Sequence, residues 1–523
     1  MLASYLSFSR SHLFAIGWLL LLLSLLLVVS YPLSHDGGSH IHNAQISSGL
    51  RLGDPVVSSL FAPRPGFVPN LTVPVLLQIL LGVLTPLWAG KCFAAALFLT
   101  LFLSLCYLSA SFSPSQNLGL LALCLSNCWF YWMGFWGFTL ASAFAFFALG
   151  WLWRQIPNWK PIHTVPLALF FVLILITHPL PASFFLAMLC LVSADAYRRK
   201  VLAPAGRNSL VLLILALTGL MGFILSSLGT KNAHGPSLFV NSTQQLAEAV
   251  LFFPNDAFEV IRLPHADSRY ILACQALFIL LALRSAWIAR SGWKSEHAIV
   301  LLVAAGGLLL GRLLLNDAQA GGAFLISRLG FYAWTLLCIW AWTRPEQPVW
   351  RPWLHAALAV SLLLCLPSFF WAIRNYSSAI SVMEQTFQAA RLRSGDTFVR
   401  ATLPNSMPPS ERRFDRYRLL TLLPHSVDWI AASNHAFHLS NYELLGGPFL
   451  NTLRGSSPEL LPHLLALDEP SPPALHLQPV LLALKPRFCV LIGLPTVEDN
   501  ALLAQIGYQP VSRDPMLTIY ARP

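Results

Sequence analysis

Charged residues are scarce in this chain of 523 residues, of which only 11% are Asp, Glu, Lys or Arg. Soluble globular proteins are about a quarter charged, so this deficit excludes an ordinary water-soluble enzyme. Hydrophobic residues make up 56% of the chain, and the mean hydropathy is +0.63. Because so much apolar surface cannot remain solvated, disorder is excluded as well. We therefore expect most of the chain to lie in lipid.

Acidic residues are scarcer than basic ones, with 22 against 33, which gives a net charge of +11. A basic balance can indicate nucleic acid, but many of these cations stand in short loops between apolar runs, where they orient a membrane protein by the positive-inside rule. We therefore predict no nucleic-acid partner. The predicted cytoplasmic turns are Arg154 with Lys160, residues 197–200 with Arg207, Arg290 with Lys294, and Arg344 with Arg351.

The sequence also lacks a disulfide framework and a nucleotide-binding motif. Eight of the nine cysteines fall in apolar runs and only Cys489 stands in the polar tail, which leaves no paired C-x-x-C metal site. There is no G-x-x-x-x-G-K-[ST] loop and no G-x-G-x-x-G opening a helix. The sequence therefore gives no support for direct use of a nucleotide substrate.

Apolar runs long enough to cross a bilayer recur along the first 373 residues. The first, Leu13 to Leu33, could be a signal peptide, but no A-x-A cleavage site follows it, so we predict a retained helix with a cytoplasmic N-terminus. We predict breaks near Met133-Gly134 and at residues 178–181, and a re-entrant or interfacial segment within 112–135. Eleven spans then agree with a cytoplasmic N-terminus and an external C-terminal segment. The other runs are 72–90, 92–111, 118–153, 162–197, 208–229, 269–288, 298–315, 328–343 and 354–373.

Three polar segments remain, and the parity of the spans places all three outside the cytoplasm. Residues 34–70 and 230–268 are loops, and residues 374–523 are long enough for a core of their own. The last segment ends in a predicted strand–helix–strand sequence over 488–520, which indicates a small α/β domain. The expected fold is therefore a polytopic α-helical membrane module, residues 1–373, followed by an extracytoplasmic α/β domain, residues 374–523.

The first external loop carries the strongest candidate for chemistry. Asp36 follows the end of the first helix, and His35, His40 and His42 stand within seven positions of it. A carboxylate at the rim of a low-dielectric site can act as a general base. Alternatively, Asp36 caps the helix that begins near Gly38. A divalent metal is a further alternative, although His40 and His42 are two residues apart and cannot share one helical face.

Three further polar residues interrupt or border the apolar runs. Arg328 follows the loop 316–322 and opens a helix, which places a phosphate-matching cation or an interfacial anchor at the outer rim. Arg312 lies inside an apolar run, where it could contact substrate, pair with Asp317 or extend toward the surface. His178, near the outer end of its helix, could contact substrate or be satisfied by the backbone.

The order of parts along the chain carries a family resemblance. One N-terminal helix is followed by an external loop of the form Asp36-x-x-x-His40-x-x-Asn43-Ala44, which runs into a Pro/Gly-rich stretch, residues 63–70, that contains Arg64. An aromatic segment, residues 127–138, precedes a helix ending in Trp-Leu-Trp-Arg, and a later helix carries Thr-His178-Pro. This layout resembles the polytopic C-type glycosyltransferases (GT-C), which include protein mannosyltransferases, oligosaccharyltransferases and the lipid A aminoarabinose transferase.

The resemblance implies an enzyme that transfers a sugar from a polyprenyl-phosphate-linked donor to a lipid, glycan or protein acceptor, with inversion. It implies that Asp36 is the catalytic carboxylate. Gly37 stands where the best-known members have a second acid, which argues against a metal-dependent variant, so we predict no cofactor. The expected location is a bacterial inner membrane, with the active site on the extracytoplasmic face. The predicted substrate-binding residues are His35, His40, His42, Arg64, His178, Arg312 and Arg328.

The alternative function is a transporter or flippase, because about a dozen spans is also the usual format of such carriers. Carriers tend to contain repeats and ionisable residues at the membrane midplane. This sequence shows no repeat, its acidic residues cluster in the external segments, and its external C-terminal domain is uncommon among carriers. These features favour the transferase.

Overall fold

The structure is a computed structural model, and it describes most of the chain. The predicted loop 230–268, the predicted span 269–288 and His35 lie outside the described residues. The described residues are 10–32, 34, 36–64, 69–112, 119–229, 298–315, 325–342, 351–403, 422–441, 444, 451–454, 457, 459–467, 473–514 and 517–523.

Helices dominate the chain up to residue 229, and a short strand, β1 (Phe61–Pro63), follows the third of them. The helices of this part are α1 (Arg10–Val28), α2 (Gly37–Leu52), α3 (Pro55–Leu60), α4 (Thr72–Leu81), α5 (Pro86–Phe112), α6 (Gly119–Ser126), α7 (Trp129–Trp132), α8 (Trp136–Gln155), α9 (Thr164–Thr177), α10 (Pro179–Arg198) and α11 (Pro204–Gly229).

Strands become frequent after residue 389. The remaining helices are α12 (Ala298–Leu314), α13 (Leu325–Trp342), α14 (Arg351–Ala389), α15 (Leu422–Asn434), α16 (Leu461–Ala466), α17 (Pro473–Leu484) and α18 (Val497–Gln505). The remaining strands are β2 (Thr397–Thr402), β3 (Phe437–His438), β4 (Asn451–Leu453), β5 (Phe488–Ile492), β6 (Gln509–Arg513) and β7 (Leu517–Ala521).

Four helical stretches among the described residues are long and apolar enough to cross a membrane: Pro86–Phe112, Trp136–Asn158, Pro179–Arg198 and Pro204–Ile224. Several other apolar helices are shorter, and eleven spans remain a prediction. Helices α6 and α7 have eight and four residues, far below the ~20 that a crossing needs. Their short length is expected if residues 112–135 turn back within or at the membrane.

Both predicted helix breaks are confirmed. Helix α7 ends at Trp132 and α8 begins at Trp136, while α9 ends at Thr177 and α10 begins at Pro179. Proline has no backbone N–H and suits the first turn of a helix, so α10 starts where the sequence predicts. The predicted boundary between residues 90 and 92 is wrong. Helix α5 begins instead at Pro86, for the same reason, and continues without a break to Phe112.

The C-terminal part folds around a five-stranded mixed sheet of order β3-β2-β5-β7-β6. Strand β2 pairs in parallel with β3 and β5, and β7 pairs antiparallel with β5 and β6. All five residues of β5 are buried, which explains its continuous apolar sequence. The strand–helix–strand prediction over 488–520 is confirmed by β5, α18 and β7. Sequence analysis missed β6, an exposed edge strand that lacks the apolar pattern.

The C-terminal sheet is closely joined to the helical part. Helix α14 continues through the predicted domain boundary at residue 373 and reaches Ala389, where it packs against β6 and β7. No proline or glycine interrupts residues 374–389, and one face of this extension is buried through Tyr376, Ile380, Met383 and Phe387. Strand β1 of the first loop pairs antiparallel with β4. The first loop and the C-terminal part therefore share a two-stranded sheet, which is separate from the five-stranded one.

Candidate functional site

Asp36 lies at the start of α2 and is almost completely buried, with 6% of its surface exposed. Its backbone N–H donates to the carbonyl of Met133 over 3.1 Å, and its own carbonyl accepts from the His40 N–H over 3.0 Å. The first bond ties the first loop to the turn before α8, and the second begins the helical ladder of α2. Asp36 is thus held at the junction of the first loop and the helical bundle.

Asp36 stands at the N-cap position of α2, but its side chain makes no capping hydrogen bond. Ser34 Oγ accepts from the Gly37 N–H over 3.1 Å, while the Ser34 carbonyl accepts from the Tyr376 hydroxyl over 2.8 Å. Burial raises the pKa of the Tyr376 phenol, and the nearby charge of Asp36 raises it further. The alternative that Asp36 serves only as a helix cap therefore lacks the hydrogen bond that defines a cap.

Residues 131–138 comprise the end of α7, the turn after it and the start of α8; they are rich in aromatic residues and are called the aromatic turn below. Gly134 allows its close approach to Asp36, because Gly134 has a φ of +81° and a Cβ there would lie 2.5 Å from Ser34 Oγ and 2.7 Å from the Asp36 nitrogen. His40 Nε2 donates to the Gly134 carbonyl over 3.0 Å, and its ring centroid lies 5.4 Å from that of Trp136. One side of the aromatic turn is thus fitted to Asp36 and His40.

We expect Gly134→Ala to destabilise the protein by about 2–4 kcal/mol. About 1–2 kcal/mol comes from the left-handed backbone, and the rest comes from the forced separation of the aromatic turn from Asp36. Gly53→Ala is the matched control, because Gly53 has a φ of +72° and nothing lies within 4 Å of its Cβ position. Thermal unfolding in detergent should show a clearly larger loss for Gly134→Ala. Equal losses would contradict the close approach.

The other side of the aromatic turn carries the predicted cation. Arg328, in the first turn of α13, stacks its guanidinium over the rings of Phe135 and Phe138, 5.1 and 5.2 Å from their centroids. The Phe138 ring also meets the His178 ring edge-on, with 5.7 Å between centroids. Arg328 Nη1 lies 3.5 Å from His178 Nε2. The structure therefore brings together Asp36, His40, His178 and Arg328 around a single turn of chain.

The contact between Arg328 and His178 joins two hydrogen-bond donors. His178 caps α10, and its Nδ1 accepts from the Leu180 N–H over 3.2 Å. A neutral imidazole whose Nδ1 accepts must carry its proton on Nε2, the atom that faces the guanidinium. Two N–H donors that converge in this way favour an anionic oxygen bound to both.

The remaining predicted residues have other surroundings. Arg312 is buried near the end of α12, and its Nη1 donates over 3.0 Å to the carbonyl of Ile326, two residues before Arg328. It therefore supports the first turn of α13. Arg64 directly follows β1, the strand that pairs with β4, and burial lowers the pKa of its guanidinium.

His42 lies on a different face of α2 from His40, as its spacing predicts, and belongs to a buried polar network. His42 Nε2 lies 3.2 Å from the Ala436 carbonyl, and its Nδ1 lies 3.9 Å from Asp428 Oδ1. Asp428 also accepts from Ser39 over 2.6 Å and from His438 Nδ1 over 2.7 Å. This network fastens α2 to α15 and β3, so His42 connects Asp36's helix to the C-terminal domain.

Close packing also holds α2 against α15 of the C-terminal domain. A Cβ at Gly38 would lie 2.8 Å from the Trp429 nitrogen, and a Cβ at Gly90 would lie 2.5 Å from the Trp429 ring. Trp429 is fully buried and therefore fills the space between α2 and α5. The C-terminal domain thus fixes the position of the helix that begins at Asp36.

Burial lowers the pKa of His42 to about 4, although the charge of Asp428 opposes this effect. The unfolded chain has a pKa near 6.5 at this residue, so it binds the proton more tightly than the folded protein. The contribution that neutral His42 makes to the free energy of unfolding is therefore fully present above pH 6.5 and is lost as the pH falls toward 4.

We therefore expect the free energy of unfolding to decrease by roughly 3 kcal/mol between pH 7 and pH 4 through His42 alone. Urea titrations in detergent at several pH values would measure this slope. His42→Gln should reduce this slope, whereas His163→Gln, outside the network, should preserve it. A slope of the same size in wild type and His42→Gln would contradict the assignment.

Sequence analysis missed Asp428, Trp429, His438 and Arg400, which all lie in the C-terminal domain. Arg400 is buried in β2, and burial lowers the pKa of its guanidinium to about 10. An arginine inside the apolar strand sequence Thr-Phe-Val-Arg-Ala-Thr is a detectable signal of a buried polar network. Nothing in the local sequence identifies its partners.

Within the described ranges, no group of three or more His, Cys, Asp or Glu side chains is arranged to hold a metal ion. Asp256 and Glu259, two acids of the loop 230–268, lie outside those ranges.

Within the part of the chain that the structure describes, the fold and site define a mostly helical protein with four candidate membrane-crossing stretches and a small mixed sheet, in which Asp36 and Arg328 both contact the aromatic turn. Comparison with protein family models, with curated proteins and with solved structures finds no match to this chain. The site's own chemistry therefore carries the functional argument.

Proposed function

We propose that the protein transfers a sugar from a polyprenyl-phosphate-linked donor to a lipid, glycan or protein acceptor at the extracytoplasmic face of a membrane. Arg328 and His178 hold the phosphate of the donor, and Asp36 acts as the base for the acceptor. The observation that carries this proposal is the convergence of Arg328 Nη1 and His178 Nε2, 3.5 Å apart, beside the turn that contacts Asp36.

The N–H groups of Arg328 and His178 account for how the phosphate of the sugar donor would be bound. A phosphate oxygen between Arg328 and His178 would accept from both, and the guanidinium would neutralise the charge that develops as the leaving group departs. Phe135 and Phe138 restrict the orientation of the guanidinium through stacking contacts. Arg312 holds the carbonyl two residues away, so Arg328 stands on a fixed helical turn.

The acceptor side follows from Asp36. The acceptor oxygen attacks the anomeric carbon as the bond from that carbon to the phosphate oxygen breaks, and polyprenyl phosphate leaves with the electron pair. Asp36 takes the acceptor proton in the same step, so atoms and charges balance. Attack opposite the departing phosphate inverts the anomeric configuration. The burial of Asp36 favours this role, because the proton is then transferred in a site shielded from bulk water.

The distribution of cations supports the location of the site. Helix α8 leaves the aromatic turn and ends at Gln155, α9 returns to Thr177, and α10 leaves again and ends at Arg198. The ends remote from the site, about 30 Å away along helices of 20 residues, carry a set of basic residues. These are Arg154, Lys160, Arg198, Arg199, Lys200 and Arg207. By the positive-inside rule this end is cytoplasmic and the site is extracytoplasmic, which suits a bacterial inner membrane with eleven spans.

The binding step is tested by thermal unfolding in detergent with polyprenyl phosphate, and with the matching polyprenol as control. A ligand that binds the folded state raises the unfolding temperature. We expect polyprenyl phosphate to stabilise the wild type more than polyprenol does, and we expect Arg328→Ala to remove the difference. Equal stabilisation by alcohol and phosphate would contradict the proposed phosphate site.

A further inference from the structure

Asn70 lies beside the proposed phosphate site in an uncommon backbone conformation. Its φ is +68°, in the left-handed region that few residues other than glycine adopt. The chain that follows is fastened to the end of α9, because the Leu71 N–H donates to the Ile176 carbonyl over 3.0 Å and the hydroxyls of Thr72 and Thr177 lie 2.7 Å apart. Asn70 is therefore held rigidly beside the residue that precedes His178.

The side chain of Asn70 is directed at the aromatic turn. A Cβ on Gly137 would lie 3.1 Å from Asn70 Oδ1 and 3.4 Å from the Thr177 carbonyl, so glycine leaves the amide oxygen room at this point. Asn70 Oδ1 is buried and accepts no hydrogen bond from any residue that the structure describes. A buried acceptor without a donor is costly, and a bound ligand or water that donates to it would remove this cost.

We infer that Asn70 Oδ1 accepts a hydrogen bond from a hydroxyl of the donor sugar and thereby selects the sugar. This inference rests on the proposed function, since it places the sugar next to the phosphate that Arg328 and His178 hold. Asn70 and Phe138 approach the same end of α9, through Thr177 and His178 respectively. A sugar attached to that phosphate would come within reach of the amide and would supply the donor that Oδ1 lacks.

A site that expects a hydroxyl rejects the analogue without it, because the buried acceptor is then left unsatisfied. We therefore expect Asn70 to discriminate against a donor sugar that lacks the hydroxyl bound by its amide oxygen. Removal of one particular hydroxyl from the sugar should lower kcat/KM about 5- to 100-fold, the range that one buried hydrogen bond supplies.

Two substitutions distinguish the loss of the hydrogen-bond acceptor oxygen from a change in the backbone conformation. Asn70→Asp retains an acceptor oxygen and tolerates a positive φ, whereas Asn70→Gly retains the backbone conformation and removes the acceptor. The probe is the polyprenyl-phosphate hexose that the wild type splits best among those carrying mannose, glucose and galactose, together with its single-deoxy analogues, each incubated with a membrane extract that supplies acceptors. The readout is kcat/KM, with thermal unfolding as the check that each variant folds.

We expect Asn70→Gly to lose about 5- to 100-fold in kcat/KM with the parent sugar and nothing further with one of the deoxy analogues. Asn70→Asp should stay within a few-fold of wild type. Gly137→Ala, which places a methyl group against Oδ1, should act in the same direction as Asn70→Gly. Unchanged kcat/KM in Asn70→Gly, or an equal loss with the parent and every deoxy analogue, would overturn the inference and leave the proposed function standing. A folded wild type that splits none of the donors would overturn both.

Discussion

Asp36→Asn is expected to reduce turnover by about 10²–10⁴-fold, the usual contribution of a general base. The amide has nearly the same size as the carboxylate, so the packing against the aromatic turn is retained while the proton acceptor is lost. Expression, thermal stability and binding of polyprenyl phosphate should stay near those of the wild type. Initial rates of sugar transfer at saturating donor, together with thermal unfolding, would measure the two effects separately.

Asp54→Asn is the matched control for this substitution. Asp54 belongs to the same loop and caps α3, with Oδ1 accepting from the Val56 and Val57 N–H groups over 2.8 and 3.1 Å. Asparagine serves as well as aspartate at such a position, so Asp54→Asn should retain almost full activity. If Asp36→Asn also transfers sugar at the parent rate, Asp36 is not the base.

Arg328→Lys is the second substitution with a large expected effect, a 10- to 100-fold rise in the KM for the donor. Lysine keeps the charge but cannot reproduce the planar fork that binds two phosphate oxygens and stacks on Phe135 and Phe138. Turnover at saturating donor should fall much less than affinity. Steady-state kinetics with varied donor would separate the two parameters.

Arg199→Lys provides the comparison at the other end of the bundle. Arg199 pairs with Asp195, with 2.8 Å between Nε and Oδ2, on the predicted cytoplasmic side. The same exchange at this position should leave the KM for the donor unchanged. A donor KM that Arg328→Lys also leaves unchanged would return Arg328 to the role of an interfacial anchor.

Features that depend on local backbone chemistry were predictable from the sequence. The break at His178-Pro179 follows from a missing N–H, the turn at Gly134 follows from a glycine among bulky aromatics, and β5 follows from five consecutive apolar residues. The position of Arg328 in the first turn of α13 follows from the polar loop before it. In each case the determining residues lie within a few positions of the feature.

Features that depend on distant partners were not predictable. Ser39 and Asp428 are separated by 389 positions, and neither residue stands in a local pattern that reveals the other. His42 was therefore grouped with His40 as a substrate contact, although the structure places it in the buried network. From the sequence, only Asp36 is considered as a possible cap of α2, whereas Ser34 provides the hydrogen bond to the first turn of that helix in the structure.

The release of polyprenyl phosphate from a polyprenyl-phosphate sugar by the purified protein is the most direct test of the proposed function. Wild-type protein in lipid vesicles would be incubated with polyprenyl-phosphate hexoses and with a membrane extract that supplies acceptors, and the released lipid would be measured by mass spectrometry. The account predicts release by the wild type and a loss of about 10²-fold or more in Asp36→Asn. Release that is absent from the folded wild type, or equal in the two proteins, would contradict it.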